Sequence, residues 1–226
     1  GFCRQTMSVQ KRYRKKSMKL NIVIPMAGLG SRFIEEGYTL PKPLIDVLGK
    51  PMIQQVVENL GIDANYIFIV NKEHSKQYNL EDTFKKFCKN FKLITVEEVT
   101  RGAACSVLLA KELINNDAPV LVANSDQFVF GLNIQKLMNC VDGSILCFED
   151  NDPKWSYVKY EGDRITETKE KVVISDMATV GIYFWKKGKD LVQSIEAMIE
   201  NEDLFNNEFY LCPSYNYLIK QDKNIN

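Results

Sequence analysis

Residues 21–33 read NIVIPMAGLGSRF. The β-branched run Ile22-Val23-Ile24 is closed by Pro25, and Gly28, Gly30, Ser31 and Arg32 follow within a few positions. β-Branched residues favour a pleated strand, which places a strand at Leu20–Ile24. Glycines directly after a strand let backbone N–H groups come close to an anion, because no Cβ stands in the way. A first strand that empties into such a loop is the entry of an open α/β sheet, where ligands gather at the carboxyl ends of the strands.

Several readings of that loop compete. A dinucleotide fold requires G-x-G-x-x-G opening a helix, with an acidic residue about 20 positions on. Here the third glycine position carries Phe33, and a long loop, IEEGYTLPKPLIDVLGK, follows. A Walker loop requires G-K-[S/T] after four spacers, and that pattern is missing. In the third reading an arginine and a lysine about ten residues on hold a triphosphate together, and Arg32 and Lys42 fit it. A glycine turn with no ligand is the fourth.

Outward from the loop, short apolar runs alternate with amphipathic segments of helical length. Strands are expected at Tyr66–Val70, Phe91–Val96 and Val120–Ala123. Helices are expected at Pro51–Leu60, within Ser75–Lys89, and at Ala103–Ile114, where apolar residues recur at three and four. This order predicts a mostly parallel sheet covered on both faces. After about residue 144 the rhythm becomes strand-rich (SILCFED, WSYVKYE, RITETKE, MATVGIYFW), with helices at Asp190–Asn201 and Ser214–Lys220. The expected organisation is a nucleotide-binding half over about 20–143 and a smaller, strand-rich acceptor half over about 144–226.

Composition narrows the function. The 226 residues carry 29 basic and 29 acidic side chains, so neither a nucleic-acid-coating nor a membrane-coating surface is indicated. No apolar run approaches the ~20 residues of a membrane span. The six cysteines contain no C-x-x-C pair, and a secretory leader is not visible. They are therefore expected as buried thiols of a reducing, cytoplasmic compartment. One histidine, His74, leaves little room for a His-based triad or zinc site. Residues 1–19 are basic and aperiodic (QKRYRKKSMK) and are expected as a flexible extension, with Met18 a natural start for the folded part.

Together the motifs PMAGLGSRF…LPKPLIDVLGKPMI, TRGAACSVLLA, VANSDQFVF, ITETKEKVVISDMATVGIYFW and EFYLCPSYNYLI resemble the sugar-phosphate nucleotidyltransferases, or nucleoside-diphosphate-sugar pyrophosphorylases. The resemblance spans about residues 20–220. It implies a Rossmann-like, GT-A-like α/β fold and the reaction NTP + R-phosphate → NDP-R + pyrophosphate. Because the acceptor phosphate is already anionic, the protein has to juxtapose two anions and neutralise developing charge rather than supply a strong base.

By this resemblance Arg32 and Lys42 are the catalytic cations. Ala27, Gly28, Leu29, Gly30 and Ser31 would line the triphosphate loop. Asn124 and Ser125, at the end of a strand, would bind the nucleotide, and Asp126 beside them is a natural Mg²⁺ ligand, with a turn or helix-cap role as its alternative. The family's late aspartate has no counterpart in NEFYLCPSYNYL, so Asn216 is the substitute expected to complete the metal site, or else a satisfied core amide. ETKEK matches an E-K-P segment with Val172 for proline. Lys171 would then hold the acceptor phosphate and Glu170 its hydroxyls or amine, unless the run is a solvated surface. Gly181 would let backbone approach the acceptor, and Trp155 and Tyr157 would wall its pocket or sit in the core.

Thr100, Gly102 and Ala103 fall in the base-recognition loop. Many relatives place a glutamine five residues before that glycine, where this chain has Glu97. A carboxylate accepts from the exocyclic amine of cytosine, which favours CTP over UTP or dTTP. The chain is similar to the short cytidylyltransferase-like enzymes of bacterial capsule and surface-polysaccharide clusters, whose acceptors include choline phosphate and amino-acid phosphates. Expected partners are an NTP and a phosphorylated small molecule, in a monomer or homodimer. The competing class is a nucleotide-binding regulatory module without catalysis. A metal-dependent glycosyltransferase would carry D-x-D where this chain has Asn124-Ser125-Asp126.

Overall fold

A computed structural model describes residues 19–28, 37 and 40–226. The basic segment before residue 19 and loop residues Leu29, Gly30, Ser31 and Arg32 lie outside the described residues.

Strand β1 (Asn21–Pro25) is central because both its faces are apolar. Val23 joins one core cluster, while Ile22 and Ile24 join the other. Alternation of this kind demands cover on both sides. β1 pairs in parallel with β4 (Asn65–Asn71) on one edge and β6 (Val120–Ala123) on the other. β4 pairs in parallel with β5 (Phe91–Val96). The chain leaves β1 toward β4 and later returns to its opposite edge at β6, which makes the β1/β6 boundary a topological switch point.

The strand-rich second half adds to the same sheet. β10 (Met177–Trp185) runs antiparallel to β6, from Ile182 opposite Ala123 to Trp185 opposite Val120. Its other edge carries β7 (Gly143–Glu149). Its first half reaches β8 (Ser156–Glu161), which pairs with β9 (Arg164–Glu170). The result is one eight-stranded, mixed sheet. The register on β7 slips between Thr179 and Tyr183, and between them Gly181 takes φ +77°. One edge of β10 therefore passes from β8 to β6 across Gly181, and a cleft opens there.

Helices cover both faces. α1 (Met52–Leu60) turns Ile53, Val56, Val57 and Leu60 inward and follows the small hairpin β2 (Asp46–Val47) to β3 (Lys50–Pro51). The helix expected within 75–89 is two, α2 (Lys72–Gln77) and α3 (Leu80–Lys85), because Asn79 enters the left-handed region at φ +46°. The one expected at 103–114 likewise divides into α4 (Ala103–Leu108) and α5 (Lys111–Ile114). Between them the Leu109 and Ala110 N–H groups bond three residues back, to Ser106 and Val107, tightening the turn. α6 (Ile134–Met138), capped by Asn133, has no counterpart in the expected pattern. α7 (Gly188–Glu200) and α8 (Tyr215–Ile219) lie where expected. No helix among the described residues is long and apolar enough to cross a membrane. Cys88, Cys140 and Cys212 are buried, and the described cysteines are all free.

Candidate active site

The carboxyl ends of β1 and β6 lie side by side, and the site grows from them. Asp126 stands three residues beyond β6. Lys42 opens a short 3₁₀ turn, Lys42–Leu44, that Pro41 introduces. Lys42 Nζ donates to Asp126 Oδ2, and the two side chains retain 29% and 28% exposure. The sheet edge thus carries a cation and a carboxylate that water and substrate can still reach.

Two cavities lie at this end of the sheet, and Asp126 lines one of them. One, about 220 Å³, is bounded by Ala27 and Gly28 from the end of β1 and by Thr100, Gly102 and Ala103 ahead of α4. Gly102 has φ +111°, and a Cβ there would stand 2.5 Å from the Phe209 carbonyl oxygen, so the chain passes this point only without a side chain. The Thr100 hydroxyl donates to Gly102 O at 3.0 Å and shares a 2.6 Å hydrogen bond with Ser106. Glu97 is not brought here. It ion-pairs with Lys72 at the start of α2, is 74% exposed, and that ammonium holds its carboxyl below the ordinary glutamate value.

The second cavity, about 410 Å³, occupies the cleft beside Gly181. Asn124, Asp126, Gln127, Trp155, Glu170, Lys171, Gly181 and Tyr210 line it. Ala103 lines both cavities. At Gly181 a Cβ would lie 2.2 Å from both the Asn124 and Gln127 side chains, while its carbonyl accepts from the Asn124 N–H at 3.1 Å. Lys171 takes φ +52°, and its ammonium donates to the Tyr210 hydroxyl at 3.1 Å above that ring. Trp155 is fixed by its indole N–H donating to Asp150 at 2.9 Å. Glu170 is 7% exposed and accepts from Ser156 Oγ, and burial raises its carboxyl above the ordinary value.

Besides Glu97, the expected residues Tyr157, Ser125 and Asn216 lie outside both cavities. Tyr157 is fully buried and donates to the Asp152 carbonyl at 2.8 Å, so it anchors the 150–155 loop from the core while Trp155 lines the cavity. Ser125 lines neither cavity. Asn216 does not face Asp126. Its Oδ1 accepts from Thr168 N at 2.8 Å and its Nδ2 donates to Thr168 O at 2.9 Å, so α8 clamps β9 and the amide oxygen is already engaged. Of the two roles expected for Asn216, these hydrogen bonds match the satisfied core amide.

Among the described residues no three His, Cys, Asp or Glu side chains form a metal cluster. Asp126 remains, at an accessible edge. One carboxylate plus substrate phosphate oxygens is an ordinary environment for Mg²⁺, which keeps several of its waters. Gln127 and Tyr210 were missed by sequence reading. Tyr210 sits in EFYL, a segment read only for its missing aspartate, and Gln127 follows the aspartate that drew attention.

A family model described as nucleotidyl transferase matches residues 22–210. A bifunctional protein GlmU from Methanococcus maripaludis is 26% identical over 188 residues, covering 80% of this chain and 42% of the relative. The chain thus spans well under half of that relative's length. A mannose-1-phosphate guanyltransferase from Schizosaccharomyces pombe is 31% identical over 120 residues, 47% of this chain and 30% of the relative. The crystal structure of a nucleoside-diphosphate-sugar pyrophosphorylase from Vibrio cholerae superposes with TM-score 0.77 at 28% identity, covering 90% of this chain and 89% of that one.

Proposed function

The chain belongs to the nucleotidyl transferase family, and on that premise we propose that it transfers a nucleoside monophosphate from an NTP to a phosphorylated small molecule, releasing pyrophosphate. The observation that carries the reading is a pair of cavities that share Ala103 in their walls, one of them lined by Asp126, the ion-pair partner of Lys42.

In this reading the nucleoside occupies the cavity at Gly28 and Gly102, where backbone lies close to the base. The acceptor occupies the cleft at Gly181, held by Lys171 and Glu170. Its phosphate oxygen attacks the α-phosphorus in line, and pyrophosphate leaves from the side of the glycine loop. Lys42 sits where the two anions converge and offsets their repulsion, a role the resemblance gives also to Arg32. Asp126 would hold Mg²⁺, which supplies further charge neutralisation at the phosphates. The convergence of Lys42, Asp126 and Lys171 on one cleft favours an enzyme over a regulatory module, since a non-catalytic site has no need of it.

The proposed nucleotide is CTP, on the strength of Glu97 in the position of the usual glutamine. For Glu97 to reach the exocyclic amine of cytosine it has to leave Lys72. A specific observation therefore favours the second reading, a UTP- or dTTP-dependent sugar-1-phosphate pyrophosphorylase: the carboxylate is paired with Lys72 and does not line the base cavity. The proposed acceptors are a sugar phosphate or a phosphorylated non-sugar such as choline phosphate or an amino-acid phosphate, made for surface-polysaccharide precursors in the cytoplasm.

A pyrophosphate-release screen with Mg²⁺, crossing the common NTPs with these acceptors, tests the proposal. Release with CTP supports the first reading, and release with UTP or dTTP alone replaces it by the second. Release from no combination overturns both.

A further inference from the structure

β9 ends at Glu170, and Lys171 leaves it with φ +52°, a left-handed conformation uncommon for a residue that carries a side chain. Its backbone N–H donates to the Trp155 carbonyl at 3.1 Å. A residue keeps such a conformation where its surroundings over-determine it. Here they include two aromatic rings brought from far along the chain. The Lys171 ammonium lies 4.9 Å from the centre of the Tyr210 ring and 5.7 Å from that of Phe205, and it donates to the Tyr210 hydroxyl at 3.1 Å. The two rings meet edge to face with their centres 6.2 Å apart, and the ammonium lies against both.

The segment that supplies the rings is itself fixed. Asn206 and Asn207 both take positive φ, +47° and +62°, and across them Phe205 and Glu208 exchange backbone hydrogen bonds of 3.0 and 2.9 Å. One residue before Tyr210, the Phe209 N–H donates to the Arg101 carbonyl at 2.7 Å and the Phe209 carbonyl accepts from the Ala104 N–H at 3.1 Å. The Tyr210 backbone is therefore tied to the loop that walls the nucleoside cavity. Burial raises the Tyr210 hydroxyl above its ordinary value even with an ammonium beside it, so at neutral pH it is an uncharged acceptor.

Resting on the nucleotidyl-transfer reading, in which Lys171 holds the acceptor, we propose that Tyr210 is the positioning residue of that lysine. A lysine ammonium has three N–H donors on a flexible stem, and an unheld stem loses its rotamer freedom only when the ligand binds. Tyr210 takes one donor and, with Phe205, offers the ammonium a ring on which to rest. The stem is thereby ordered before an acceptor arrives, and two donors remain for its phosphate oxygens. Affinity gained in this way comes from order already imposed on the site rather than from a further contact with the ligand. Lys171 and Tyr210 line the cleft and Phe205 does not, so part of the hold comes from outside the acceptor's space.

A double-variant cycle in the pyrophosphate-release assay tests this. It uses Mg²⁺, the NTP that turns over best, and the best acceptor among glucose 1-phosphate, glucosamine 1-phosphate, choline phosphate and phosphoserine. Tyr210→Leu should raise KM for the acceptor about tenfold while KM for NTP changes by less than about twofold. Tyr210→Phe keeps the ring and loses the hydroxyl, and should recover part of that loss. In a Lys171→Met background Tyr210→Leu should bring no further loss, because Tyr210 acts through the ammonium. If the full loss persists in that background, Tyr210 touches the acceptor itself or only supports the fold, and the proposal is overturned. An equal rise in both KM values overturns it too, as does a Lys171→Met enzyme with the parent's KM for the acceptor. Each of these outcomes leaves nucleotidyl transfer standing. Should Tyr210→Leu fail to fold, the same cycle run with Tyr210→Phe decides. Release by the parent enzyme from none of these acceptors overturns the underlying reading and the proposal with it.

Discussion

Lys42 donates to Asp126 across 84 positions of sequence, tying the loop after β1 to the loop after β6. Asp126 lines the cleft beside Gly181, so both charges are in place there before any substrate phosphate arrives. Prearranged charge of this kind is what phosphoryl chemistry draws on, because it needs no reorganisation during reaction.

Replacing that lysine separates its chemical from its structural role. Lys42→Met should lower kcat by about 10²-fold or more, as loss of one preorganised charge donor does elsewhere. The pair is partly exposed, so stability should change by no more than about 1 kcal/mol. Steady-state kinetics and a urea melt check both. A folded variant with unimpaired kcat would remove Lys42 from the reaction.

Gly102 offers a steric test of the nucleoside cavity. With φ +111° and a would-be Cβ 2.5 Å from Phe209 O, Gly102→Ala must shift the 100–103 loop or the backbone at Phe209. A strained left-handed conformation costs about 1–3 kcal/mol. The melting temperature should fall and KM for NTP should rise more than KM for the acceptor. Equal rises in the two would place the nucleoside elsewhere.

Much of this architecture was legible because its signals are local. The run Ile22-Val23-Ile24, the glycines after it and the apolar Val120–Ala123 each declare a strand end, and parallel order brings those ends to one edge. Side-chain direction was less legible, since it depends on partners far away in sequence. Glu97 looked like a base reader until α2, starting directly after β4, put Lys72 beside it. Asn216 looked like a ligand until β9 presented the Thr168 peptide to both ends of its amide. Trp155 and Tyr157 share a strand-like segment, yet one lines the cleft and the other fills the core. That difference follows from where β8 begins, at Ser156, which sequence periodicity locates only to within a residue or two.

Burial of Glu170 makes stability depend on pH in a defined direction. Its folded-state carboxyl is raised above the ordinary value of 4.5, chiefly by desolvation. The folded protein therefore holds this proton more tightly than the unfolded chain, and stability falls as pH rises from 4.5 through the raised value. Glutamine in its place can still accept from Ser156 and carries no charge to bury. The gain in melting temperature of Glu170→Gln over the parent should be larger at about pH 7.5 than at about pH 4. Equal differences at the two pH values would mean that the carboxylate is well solvated in solution.

Asn216 separates structure from metal binding most directly. Asn216→Ala deletes both hydrogen bonds to the Thr168 peptide and leaves a partly buried N–H and C=O without their partners, a loss of about 1–3 kcal/mol for each unsatisfied group. α8 then loses its clamp on β9, and the Cys212 carbonyl, which accepts from the Thr168 hydroxyl at 2.9 Å, loses part of its support. The variant should unfold at markedly lower urea, while the Mg²⁺ concentration for half-maximal turnover stays that of the parent at a temperature where it remains folded. In Asp126→Asn the order reverses: stability changes little, and the Mg²⁺ requirement rises by about tenfold or turnover is lost, because that carboxylate stands at the reacting edge. A large rise in the Mg²⁺ requirement of Asn216→Ala would restore Asn216 to the metal and mean that the Thr168 clamp opens when nucleotide binds.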